Sequence, residues 1–278
     1  MANSLIKADI NSFISNLPPK EFDTKVPFSR YREGFFFTGF YEAEKMKIIG
    51  AVKAVLTGRS VPYTKSDIFS AIDKKSVTGP IKVCVEGLEG DEQGDRRFHG
   101  GIDKAVHFYP DEHYSFWQGE LGNIVLLDTL GAFGENLSTV GFTENDLCFG
   151  DQLRIGTVLL EISQTRQPCW KLNDRFGVQD MALRVQQSLR TGFYCRILEA
   201  GILEAGDEVI LLARPYPNWT LRRFIALLYH NMLDGDSLIN ALELPLVPSN
   251  RKLIENRLSR NQVECWLDRI EGPESNDA

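Results

Sequence analysis

From about residue 48 to residue 213 the chain is a series of short apolar runs punctuated by glycine, without regular helical stretches between them. That feature limits the fold more than any other. Apolar residues that alternate along a run share one face of a strand. Strands that follow one another in this way build a barrel or a strongly bent sheet, not a parallel sheet with crossover helices. Val52 to Leu56 alternates, and Lys82 to Val85 follows the turn Gly79-Pro80. The clearest hairpin is Gln152 to Ser163. Leu153 and Ile155 point one way, Gly156-Thr157 turns the chain, and Val158, Leu160 and Ile162 bring it back. Asp207 to Leu212 adds a strand after Ala205-Gly206, and His113 sits where a helix is expected to open after Pro110.

After Pro215 the period changes. Thr220 can cap a helix whose Leu221, Phe224, Ile225 and Leu228 share a face. Asp236 or Ser237 precedes a second apolar segment, and Pro245 stops it. Ser249 opens a third segment carrying Leu253, Ile254 and Leu258, and Val263, Trp266, Leu267 and Ile270 continue its face. At the other end Ile6, Ile10, Phe13 and Leu17 fall at helical spacing before Pro18-Pro19. The expected organisation is an extension at residues 1–45, a barrel domain at 46–214 and a three-helix subdomain at 215–278. The apolar faces of the helices imply packing on the barrel, a partner or a second copy in a homodimer. Deleting residues 216–278 is expected to leave the chemistry-bearing residues untouched.

The formal net charge of −7 argues against a nucleic-acid partner. No apolar stretch has the length of a membrane helix, and Lys7, Asp9 and Asn11 break up what could have been a leader. Cys84, Cys148, Cys169, Cys195 and Cys265 are far apart, odd in number and free of any CxxC spacing, which fits reduced thiols in the cytoplasm. The same spacing disfavours structural zinc and a protein-bound iron–sulfur cluster.

Three segments hold more glycine and paired polar residues than folding asks for. In the first, Gly100-Gly101 can turn successive N–H groups toward an anion, and Arg96, Arg97, His99 and Lys104 surround that point with donors. A glycine-rich turn with solvated charges is the plainer alternative. In the second, Phe133 to Ser138, Glu135 and Asn136 offer an acceptor and a donor to a cofactor's ring or amide, or satisfy a turn of their own. The third is Gln164-Thr-Arg-Gln-Pro-Cys-Trp-Lys-Leu-Asn173. Pro168 stiffens the backbone before Cys169, and Arg166 and Lys171 place positive charge beside the sulfur. A thiolate there suits a soft metal or persulfide chemistry, whereas the other four cysteines lie in apolar or strand-like runs.

Taken together, GDRRFHGGIDKAVHFYPDEHY, FGENLS, FGDQLRIG and QTRQPCWKLN resemble, in this order, the MOSC-domain family, named for the C-terminal domain of molybdenum cofactor sulfurase. The helices after residue 215 resemble the three-helix addition of its YiiM-like branch. The resemblance implies a mainly β fold, a MOSC-type barrel with a small C-terminal three-helix subdomain. It implies that the barrel binds the molybdenum cofactor, a molybdopterin, with Cys169 as catalytic residue and metal ligand. Arg96, His99, Gly100, Gly101, Lys104, Glu135, Asn136, Arg166, Lys171 and Asn173 are then the candidate cofactor-binding residues. The implied activity is reduction of N-hydroxylated bases such as 6-N-hydroxylaminopurine. A persulfide carrier or a module that only holds the cofactor are the alternatives. No GxGxxG opens a helix, since Gly87, Gly90 and Gly94 have the wrong spacing, so a separate flavin-containing reductase is the expected electron donor.

Overall fold

A computed structural model describes residues 47–65, 68–94 and 100–272. The proposed helix at residues 6–17, and the extension at 1–45 as a whole, lie outside the described residues. The strands are β1 (Lys47–Thr57), β2 (Val61–Pro62), β3 (Phe69–Ser70), β4 (Lys75–Val77), β5 (Ile81–Cys84), β6 (Gly87–Leu88) and β7 (Val106–Pro110). They continue with β8 (Leu137–Val140), β9 (Gln152–Ile155), β10 (Val158–Thr165), β11 (Phe193–Glu199), β12 (Gly201–Leu203) and β13 (Glu208–Ala213).

Seven of them close a ring in the order β1, β13, β9, β10, β11, β7, β8 and back to β1. β1 can serve two neighbours because it is long and irregular. Its first half pairs with β13 and its middle with β8, with a register shift in each pairing. Among the described strands, only β7 and β8 run parallel. β4 extends the sheet beside the end of β1, and β5, β6 and β12 form a small separate sheet.

The ring encloses a packed core, not a channel. Val52, Val55, Val106, Phe108, Leu153, Ile155, Val158, Leu160, Phe193 and Val209 fill it. The hairpin of β9 and β10 turns at Gly156-Thr157, with Leu153 opposite Leu160. β1 departs from simple alternation: Ala51, Val52, Ala54, Val55 and Leu56 are all buried, because the strand is covered on both faces.

The helices are α1 (Glu112–Leu121), α2 (Lys171–Phe176), α3 (Met181–Ser188), α4 (Leu221–Tyr229), α5 (Gly235–Ala241), α6 (Pro248–Arg260) and α7 (Leu267–Ile270). α1, α2 and α3 cover one outer flank of the barrel. Trp117, Phe133, Leu172, Phe176, Met181 and Val185 gather there around Tyr109. α2 and α3 were not anticipated, since each is short and Gly177 separates them in a left-handed turn. Thr220 caps α4 by accepting the N–H of Arg223, and Phe224, Ile225 and Leu228 join the barrel core. Burying such side chains is worth about 2 kcal/mol each. The third apolar face does not run on as anticipated. α6 ends at Asn261, whose positive φ turns the chain, and residues 266–272 cross back toward Cys169.

Candidate functional site

The site rests on the alternation of β7 and β11. Val106 and Phe108 point into the barrel, which sends His107 and Tyr109 to the outer face. On β11, Phe193 and Cys195 point inward, and Tyr194 lies directly opposite His107. Their rings sit 4.9 Å apart. This close strand approach requires glycine at position 192. Its φ is +73°, and a Cβ there would come within 2.5 Å of the Phe108 carbonyl oxygen and 2.9 Å of His107 Nε2.

His107 and Tyr194 form one wall of a cleft with about 590 Å³ of empty space, part of it open to solvent. Lys74, Asp91, Lys104, Asn136, Arg166, Cys169 and Lys171 also line it. Asn136 is the crosspiece. Its side-chain oxygen accepts the His107 N–H, while its amide donates to Leu56 O and to Asp91 at 2.8 Å. Asp91 in turn accepts the Gly58 N–H and the ammonium of Lys74.

Two buried nitrogen atoms bordering the cleft have no hydrogen-bond partner: His107 Nε2 and an Nη of Arg166. His107 Nδ1 faces the Gly134 carbonyl at 3.2 Å. A carbonyl only accepts, so Nδ1 carries the hydrogen and Nε2 presents a lone pair. Burial, reinforced by the nearby Arg166 charge, pushes the His107 pKa well below its usual value and keeps the ring neutral. Besides the lysines that line it, the cleft wall thus holds one further acceptor and one further cationic donor. Burial also lowers the Lys104 pKa, against the opposing pull of Cys169 and Asp103.

Cys169 lies half-buried between β10 and α2. Arg269 grips both of its neighbours: the guanidinium donates to Pro168 O, and the Arg269 carbonyl accepts the Trp170 N–H at 2.8 Å. The C-terminal region thus touches the cysteine loop, so removing residues 216–278 would take away two of that loop's hydrogen-bond partners.

Of the residues singled out from sequence, Cys169, Lys104, Asn136, Arg166 and Lys171 border the cleft. Lys171 also donates to Phe69 O at 2.8 Å. Glu135 is placed elsewhere. Its carboxylate accepts from Tyr114 and from the N–H groups of Gly131 and Phe133, so it fastens its own turn. Asn173 joins Ile270 O to the Ala182 N–H and stands outside the lining. Gly100 and Gly101 do not line the cleft either. Gly101, at φ +97°, opens the short turn that carries Lys104. Arg96 and His99 lie outside the described residues. Sequence reasoning gave no site role to His107, Tyr194, Lys74 or Asp91, although Asp91 falls within the first glycine-rich segment and His107 just after it. The pattern Val-His-Phe-Tyr could have revealed His107, since its neighbours alternate into the core.

A model of the MOSC domain matches residues 95–210, and a model of the YiiM-like 3-alpha helix domain matches residues 219–261. Protein YiiM of Escherichia coli is 34% identical over 219 residues, covering 78% of this chain and 97% of that one. The chain belongs to the MOSC-domain family. Within it, the likeness is to the YiiM-like branch. The crystal structure of YiiM from Escherichia coli superposes with a TM-score of 0.67 at 29% identity, covering 80% of this chain and 99% of that chain. A protein of Gibberella moniliformis named "Reductase" is 35% identical over 193 residues, which are 69% of this chain and 34% of that protein. This MOSC protein shares the closed barrel and C-terminal helices of those relatives.

Proposed function

We propose that this protein is a molybdenum-cofactor-dependent reductase of N-hydroxylated compounds, with 6-N-hydroxylaminopurine and related bases as the substrate class. The observation that carries this reading is the convergence on one cleft of a thiol and four cationic side chains, with buried nitrogen atoms of His107 and Arg166 that have no protein partner. Such a set fits a molybdopterin. Cys169 offers the soft ligand for the metal. Arg166, Lys104 and Lys171 suit the anionic parts, and a neutral His107 accepts an N–H from a ring or exocyclic amine. When bound, the cofactor supplies the two-electron chemistry.

The reduction consumes two electrons and two protons: R–NH–OH becomes R–NH2 and water. The chain's own part is positioning. Tyr194 and His107 provide an aromatic wall, and Arg166 donates to an acceptor atom. Membership of the MOSC family and the printed name of the Gibberella relative both support an oxidoreductase. We assign electron delivery to a separate flavin-containing reductase, since no GxGxxG opens a helix in the sequence. We place the activity in the cytoplasm on the reduced-thiol pattern of the sequence; no helix among the described residues is long and apolar enough to cross a membrane.

The test is to purify the protein from a host that makes the cofactor, then measure molybdenum, pterin and viologen-driven reduction of 6-N-hydroxylaminopurine. Stoichiometric molybdenum and turnover are expected, with turnover lost in Cys169→Ser and kept in Cys148→Ser. A cyanide-labile sulfur on Cys169 without metal, or full turnover by Cys169→Ser, overturns the proposal.

A further inference from the structure

The cysteine loop is held by a part of the chain that lies beyond both matched domains. The match to the three-helix model ends at residue 261. Eight residues later, at Arg269, the chain reaches the loop that carries Cys169 and fastens to it at several points. The Arg269 guanidinium donates to Pro168 O on one side of the cysteine, and the Arg269 carbonyl accepts the Trp170 N–H on the other. The second arm of the same guanidinium donates to Gln186 on α3 at 2.7 Å. Asn173 on α2 donates to Ile270 O at 2.8 Å. Gly272 closes over Trp170 so tightly that a Cβ would meet the indole at 2.8 Å, and the other groups near that ring include the Lys65 ammonium, 4.8 Å from its centroid.

We infer that Arg269 is the positioning residue of Cys169: it fixes the sulfur in the cleft by clamping the two peptide groups that flank it. The chemistry favours this assignment over simple tail packing. A guanidinium is a rigid planar fork, so one side chain can hold a carbonyl and a side-chain oxygen in fixed relation. Here the two acceptors belong to the cysteine loop and to α3, which are thereby locked together. Pro168 has no N–H of its own and cannot continue the pairing of β10, so the loop depends on outside donors for its orientation. Arg269 also lies near the rings of Tyr229 and Trp266, at 5.8 and 6.0 Å. The clamp thereby ties the loop to the end of α4. The effect on turnover rests on the proposed function; the effect on the sulfur itself does not.

The test reads the sulfur directly. Alkylation of Cys169 by iodoacetamide is followed by mass spectrometry across pH, with the exposed Cys84 and Cys265 as internal controls, in the full-length protein, its Arg269→Ala variant and its Arg269→Lys variant. In Arg269→Ala, the Cys169 alkylation rate is expected to change by roughly tenfold, the scale of one charge-assisted hydrogen bond. Cys84 and Cys265 are expected to stay unchanged. Arg269→Lys, which keeps the charge but not the fork, should fall between. In molybdenum-loaded protein the same order should appear in kcat, with KM for the substrate little changed. If Arg269→Ala does not fold, Arg269→Lys alone decides through the same alkylation profile. An unshifted Cys169 profile in the folded variants overturns the inference. A wild-type protein without molybdenum would sink the reductase reading and leave this result standing.

Discussion

Breaking the ion pair that Lys74 and Asp91 form in the cleft lining is the sharpest test of how the site is held. Lys74 and Asp91 are both 8% exposed at the side chain. Asp91 also accepts the N–H groups of Gly58 and Asn136. Asp91→Asn removes the only acidic group bonded to the Lys74 ammonium among the described residues, and turns an NH2 toward that of Asn136. Removing one member of a buried pair costs about 3–5 kcal/mol, because the remaining charge is stranded. For a chain of this size that is a fall in Tm of about 10 °C. Lys74→Met on top of Asp91→Asn removes the stranded charge. The double variant should then recover about 2 kcal/mol relative to the sum of the singles. The assay is urea unfolding of the four proteins followed by circular dichroism. A pH series adds an independent check. Burial lowers the Lys74 pKa, and Asp91 is the main group opposing that. Without Asp91 the folded state holds the lysine proton less tightly than the unfolded chain does. Stability of Asp91→Asn should therefore rise with pH, from the lowered folded value up to the usual lysine range. A cost under about 1 kcal/mol, or strict additivity, would refute the idea that this pair organises the cleft.

Gly192→Ala should cost about 2–4 kcal/mol and displace His107, because its φ is positive and the new Cβ meets the Phe108 carbonyl; thermal melts and the histidine NMR signal report it. Glu144 is buried, which alone would raise its pKa, but His113 at 2.6 Å and the Gly192 N–H outweigh burial and lower it. Its contribution to stability is thus complete above the ordinary carboxylate value and lost as pH falls through the lowered one, so acid unfolding should be less steep in Glu144→Gln than in wild type. Cofactor-loaded protein mixed with NADPH and 6-N-hydroxylaminopurine should consume no NADPH until a flavin reductase is added; steady consumption without it would point to a nucleotide site of the protein's own.

The barrel could be read from sequence because each strand advertises itself locally. The hairpin from Gln152 to Ser163 needs only alternation and a turn, and Thr220 needs only its position before an apolar face. The cleft could be read only where chemistry and sequence neighbours coincide, as they do for Arg166, Cys169 and Lys171. Glu135 looked equally promising, yet its oxygens are taken by backbone groups two and four residues away, a contact that residue type does not reveal. Lys74 and Asp91 were illegible for the opposite reason. They become partners only once β4 pairs with the end of β1 and Asp91 accepts the N–H of Gly58 just beyond it. Arg269 lies about a hundred residues beyond the cysteine it holds, and no local pattern connects the two.

The pairing of β1 with β13 has a consequence for how the molecule comes into being. Lys47 stands opposite Leu211, so the seam that shuts the ring joins the first and last strands of the barrel. Until β13 has left the ribosome, β1 and β9 each keep an unpaired edge, and such edges invite other chains. Contacts so distant in sequence also form slowly. His107 and Tyr194 meet only through the pairing of β7 with β11, so the cleft wall arises within the same ring that this seam completes. Slower synthesis at lower temperature should therefore raise the yield of folded protein, and a chain cut before residue 208 should accumulate as aggregate with no cleft able to accept a ligand.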